Sequence, residues 1–139
     1  MNARYLIIAS LVSLSFCASW KAFAHDAGPG VEKVTVLEQQ PMLNAPGLKA
    51  LVLTVDYKPG QASMAHSHAG SAFAYVLEGE VISQVNDGKA ITYKPGQTWY
   101  EPAGSKHYVS KNASKTRPAK LLVYILMGEN DKVLEPLGK

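Results

Sequence analysis

Cysteine is almost missing from this chain: the single one is Cys17, inside an apolar N-terminal stretch. Past that stretch no disulfide can form, no thiolate can ligate a metal and no cysteine nucleophile is on offer. Long hydrophobic runs are missing too. Tyr5–Cys17 is almost wholly apolar but holds only 13 residues, short of the roughly 20 that span a bilayer as a helix. Charge excess is small, with 14 Lys and Arg against 11 Asp and Glu. That balance gives no sign of the strong basic excess that marks nucleic-acid binding, and no nucleic-acid partner is expected. No stretch longer than two turns shows helical periodicity, which excludes a helical bundle. Internal repeats, low-complexity segments and any sign of a second domain are also lacking.

What is present begins with an export pattern. Met1–Arg4 carries one positive charge, the apolar run follows, and Ala22-Phe23-Ala24 supplies the small-x-small site of a signal peptidase. Residues 1–24 are therefore expected to be a secretory signal peptide, with the working protein periplasmic or secreted and free of the membrane after cleavage. Arg4 and Lys21 leave with that leader, so the net charge of +3 falls to +1. Residues 25–47 are read as a leader and first strand, and 48–139 as the barrel itself.

From there the chain reads as short strands punctuated by Gly and Pro. Val31–Leu37 alternates, with Glu32, Val34 and Val36 on one side. Leu48–Tyr57 is rich in Leu and Val and stops at Pro59-Gly60. Phe73–Leu77, Val81–Val85, Ala90–Tyr93, Trp99–Glu101, His107–Ser110 and Leu121–Met127 follow. Asp87-Gly88 is read as the positive-φ pair of a hairpin turn. The spacing of roughly 8–12 residues predicts an all-β sandwich or barrel. Leu121–Leu126 is continuously apolar, which predicts cover on both faces, one inside the barrel and the other against a second sheet or subunit.

Chemistry is carried by histidine. Four occur, and His66 and His68 stand two apart. In a strand that spacing puts both rings on one face, about 7 Å apart along the backbone. His107 comes after an intervening hairpin that can return its strand beside the first. Three imidazoles suit a divalent ion, and Fe(II), Zn(II), Mn(II), Ni(II) and Cu(II) all accept them. Glu78 reads as a solvated turn residue, and Glu101, six residues before His107 across the Pro102–Gly104 bend, as a poor ligand. Tyr75, Trp99, Tyr100 and Tyr108 read as packing aromatics. Asn112-Ala113-Ser114 matches a glycosylation acceptor.

Two stretches carry a family likeness. Pro59-Gly60, five residues, His66-Ser67-His68 and then Tyr75-Val76-Leu77-Glu78-Gly79 resembles the first signature of the cupin superfamily. Gly96, five residues, Pro102-Ala103-Gly104, two residues and His107 resembles the second. The resemblance implies a cupin-type antiparallel double-stranded β-helix, or jelly-roll barrel, with His66, His68 and His107 as metal ligands. It also implies a small-molecule ligand or substrate and a homodimer. One position departs from the pattern. Where the family carries a glutamate seven residues before the closing glycine, this chain has Ala72. A set of three neutral histidines looks like that of three-histidine cupin dioxygenases, so a small-molecule oxidoreductase is one expectation. A non-catalytic module for a small ligand or sugar is the other.

Overall fold

Every pairing between strands is antiparallel, and no helix occurs among the described residues, which in this computed structural model are 24–25 and 31–138. The expected leader thus lies outside the described residues except for Ala24. The described residues form eleven strands: β1 (Ala24–His25), β2 (Lys33–Pro41), β3 (Leu48–Tyr57), β4 (His66–Ser67), β5 (Ser71–Glu78), β6 (Val81–Val85), β7 (Ile91–Tyr93), β8 (Thr98–Glu101), β9 (Lys106–Asn112), β10 (Ala119–Gly128) and β11 (Glu135–Pro136). One sheet has the order β1-β2-β3-β10-β5-β8, the other β11-β4-β9-β6-β7. The all-β jelly-roll expectation holds.

Alternation decides which side chains fill the space between the sheets. On β5, Ala72, Ala74 and Val76 are buried while Phe73, Tyr75 and Leu77 face outward. On β10 the inward set is Leu121, Val123, Ile125 and Met127. Leu51 and Leu53 of β3 and Trp99 of β8 complete this wall, opposite Val81 of β6. Full burial of a side chain such as Ile125 or Leu51 contributes about 1.5–3 kcal/mol. The small residue at 74 lines an open space in the interior.

Two local expectations change. The first long strand runs to Pro41 rather than Leu37, because a bulge between Val36 and Glu38 resets its register and lets Gln39 and Gln40 continue pairing with β3. The turn after β6 is not built on a left-handed Asp-Gly pair. Asn86 is the residue with positive φ, at 49°. Its side chain earns that conformation by accepting the backbone N–H of Lys106 at 2.9 Å, while its own N–H donates to the Lys106 carbonyl at 2.7 Å. On the outer side of β10, Leu122, Tyr124 and Leu126 are half-buried within the single chain. With Phe73, Tyr75 and Tyr100 exposed on the neighbouring strands, the outer face of the six-stranded sheet is an apolar surface.

Gly79, between β5 and β6, carries a backbone constraint that no other residue type meets. Its φ is +69°, and an added Cβ would press on the Pro118 carbonyl and stand 2.8 Å from Ala119 Cα. Glycine alone meets both demands at low strain. This tight passage carries the chain from one sheet to the other.

Candidate metal centre

His66 and His107 are register partners across β4 and β9. That pairing is what brings two residues 41 positions apart onto one face, and His68 follows from the two-residue spacing. The ring centroids of His66 lie 4.8 Å from His68 and 5.0 Å from His107. One nitrogen from each of the three rings falls within 4.8 Å of the others. His66 and His107 are buried, and all three predicted site residues come together.

The other nitrogen of each ring is anchored. His66 Nδ1 donates to the Met64 carbonyl at 2.7 Å, and His68 Nδ1 to the Val133 carbonyl at 2.5 Å. His107 Nε2 and Ser83 Oγ stand 2.8 Å apart. Because carbonyls only accept, His66 and His68 must carry their proton on Nδ1 there, which leaves Nε2 of each as a lone-pair donor. Such outer contacts fix ring orientation and tautomer at metal sites. Burial holds the His66 imidazole below its usual range, with the neighbouring His68 and His107 adding to this. A neutral ring is the form that binds a cation.

Glu101, read from the sequence as a poor ligand, stands buried to 2 % exposure beside the cluster. Its Oε1 lies 3.2 Å from His107 Nδ1 and accepts the Trp99 indole N–H at 2.9 Å. Its Oε2 lies 3.8 Å from His68 Nε2. Burial by itself would raise this carboxyl. The hydrogen bond and electrostatic attraction of His107, the Trp99 donor and the electrostatic attraction of His68 outweigh it, and the net direction is down. The site therefore holds an anion beside three imidazoles.

Above the cluster opens a cavity of about 230 Å³. Its walls are largely aliphatic, from Val34, Leu53, Val55, Leu121, Val123 and Ile125. The polar exceptions besides the cluster are Glu32, Tyr57, Ser63 and Ser110. The Tyr57 hydroxyl is shared with Ser63 Oγ at 2.7 Å and Ser110 Oγ at 2.8 Å. Burial pushes it up to about 12, so it stays protonated near neutral pH. Tyr57, Glu32 and Ser83 escaped sequence reasoning; only the inward alternation of Glu32 with Val34 pointed toward one of them.

Other candidates fall away from the centre. Tyr75, Tyr100 and Tyr108 are exposed, whereas Trp99 is buried and lines the cavity. Glu78 is exposed. Asn112 is buried with its amide donating to the carbonyls of Lys58 and Arg117, at 3.1 and 2.7 Å. Its Oδ1 accepts the Ser114 N–H at 2.8 Å. A glycan at this residue would dismantle that network, so the acceptor match is structural.

A two-sheet antiparallel barrel with histidines converging on its interior defines a class, the jelly-roll barrels that house small-ligand and metal sites. Residues 53–125 match the Cupin domain family, more than half of the chain. The protein belongs to the cupin family. An RmlC-like cupin from Shewanella frigidimarina is similar at 20% identity and a TM-score of 0.60, over 79% of this chain and 87% of that one. A chain from crystal structures of DMSP lyases gives 19% identity and a TM-score of 0.63, over 77% of this chain and 53% of its own. A recombinant oxalate oxidase in complex with glycolate gives 20% and 0.58, over 78% and 56%. These likenesses concern the fold. Comparison with curated proteins finds no match.

Proposed function

We propose that this cupin holds a divalent transition-metal ion on His66, His68 and His107 and acts there as an oxidoreductase on a small molecule. The observation that carries the reading is the convergence of three anchored rings, one nitrogen of each lying within 4.8 Å of the others. A buried carboxylate oxygen without a hydrogen-bond partner, Glu101 Oε2, asks for a cation at the same place. Donor set and surroundings therefore fit an ion. When bound, it would supply Lewis acidity and, for iron, manganese or copper, a redox couple.

The chain's own residues would do the rest. Aliphatic walls exclude water from a space of about 230 Å³, below the roughly 300–1,000 Å³ usual for drug-sized ligands. The substrate is accordingly small and mostly apolar. Tyr57, protonated and held by two serines, offers a neutral polar contact within that space. That DMSP lyases and oxalate oxidase share the fold supports an enzymatic reading. Export rests on the pattern of residues 1–24, and a homodimer on the apolar outer face of the six-stranded sheet.

Elemental analysis of purified protein alongside His66→Ala tests the metal, and oxygen uptake after anaerobic Fe(II) loading tests the activity. One equivalent of metal, lost in the variant, together with uptake on thiols, diketones or phenolic acids is expected. Full occupancy in His66→Ala would sink the site. The aliphatic cavity also favours a second reading, a non-catalytic binder, which predicts ligand-dependent melting shifts with no turnover.

A further inference from the structure

Resting on the metal reading above, we infer that Glu101 is the fourth protein ligand of the centre, its carboxylate entering from β8 in place of the one missing at position 72 on β5. The register makes the exchange possible. Ala72 and Glu101 are direct partners across β5 and β8, and both are buried, at 0 % and 2 % exposure. Directly opposed residues of an antiparallel pair stand with their Cβ atoms roughly 4.5–5.5 Å apart on the same face. A carboxylate rooted at 101 thus reaches the interior region that one rooted at 72 would reach.

The two oxygens of this carboxylate have different surroundings. Oε1 is engaged, accepting the Trp99 indole N–H and standing 3.2 Å from His107 Nδ1. Oε2 has no hydrogen-bond partner although it is buried, and it faces His68 Nε2 at 3.8 Å. Donor atoms on one ion, with bonds near 2.1 Å, stand about 3.0–4.2 Å apart. The 3.8 Å between Oε2 and His68 Nε2 falls in that range. The indole holds Oε1, which leaves Oε2 as the unpartnered oxygen facing His68. Ligation gives the centre a set of three histidines and one carboxylate. The charge of a bound divalent ion is then lowered by one, and fewer positions are left for substrate than three histidines alone would leave.

The test compares binding of Mn(II) and Zn(II), by chelator competition, in the wild type, Glu101→Gln, Glu101→Ala and Glu101→Ala combined with Ala72→Glu. Expected is a loss of at least tenfold in Glu101→Gln and recovery of at least tenfold when the carboxylate is returned through residue 72. A carboxylate that merely orients His107 would not be replaced from another strand, so failure of that recovery overturns the inference. A crystal structure of the Mn(II)-loaded wild type decides independently of whether the variants fold. A Glu101 oxygen within about 2.0–2.3 Å of the ion supports the assignment, and one beyond about 3 Å overturns it. Loss of metal in His66→Ala with none in Glu101→Gln defeats this inference alone. Retention in both defeats the metal reading itself.

Discussion

Ser83 Oγ and His107 Nε2 stand 2.8 Å apart inside the barrel, joining β6 to β9 through the ring of a proposed ligand. The hydroxyl is 3 % exposed as a residue, so no solvent molecule replaces it readily. Removing such an outer contact typically weakens a metal site by 10–100-fold. Ser83→Ala should therefore lower Zn(II) affinity by about tenfold while costing about 1 kcal/mol of stability. Chelator competition and denaturant unfolding of the metal-free protein check the two effects separately.

Tyr57 makes stability fall in alkali. Its pKa is raised from 10.0 to about 12, so the native state keeps a proton that the unfolded chain releases. Between roughly pH 10 and 12 the unfolded state binds fewer protons, and stability declines as pH rises. The contribution is intact below pH 10 and is on the order of 2 kcal/mol. Tyr57→Phe should flatten that part of the stability curve, which urea unfolding between pH 8 and 12 measures. An unchanged slope would show that another group is responsible.

Two left-handed glycines should respond differently to alanine. At Gly79 the added Cβ collides with the backbone of Pro118 and Ala119, whereas at Gly104, with φ of +73°, it meets nothing within 4 Å. Gly104→Ala should cost about 1–2 kcal/mol from φ strain alone. Gly79→Ala should cost clearly more, and a melting temperature no lower than that of Gly104→Ala would contradict the close approach.

If the outer face of the six-stranded sheet joins two copies, a charge there will separate them. Phe73 is 52% exposed and its ring lies 4.8 Å from that of Tyr100. Phe73→Lys is expected to shift the protein from dimer to monomer in sedimentation velocity runs, with metal content unchanged. A monomeric wild type would remove the dimer proposal.

Much of the barrel was readable because its signals are local. Pro59-Gly60, Gly79, Gly96 and Gly104 mark bends, and alternation on β5 and β10 separates inward from outward residues. His66, His68 and His107 were readable from strand spacing and from the likeness to two motifs. Glu101 was not. Its place depends on β5–β8 pairing that sets it opposite Ala72, and register between strands far apart in sequence has no local signature. The anchors escaped for a similar reason. Met64 and Val133 act through backbone carbonyls, which every residue possesses. β11 escaped because two residues pairing with β4 form too short a strand to produce a pattern.

That short strand has a further consequence. The segment from Val133 to Leu137 crosses beside β4, with the Leu137 N–H donating to the Ala65 carbonyl at 2.9 Å and the Val133 carbonyl receiving His68. Val133 and Leu134 also line the cavity. The tail is thus a clasp over the imidazoles, and trimming it from Val133 onward would free one ring to swing and widen the entrance at a stroke. Shortened versions of this protein would then be misleading guides to its chemistry, even if they kept every histidine.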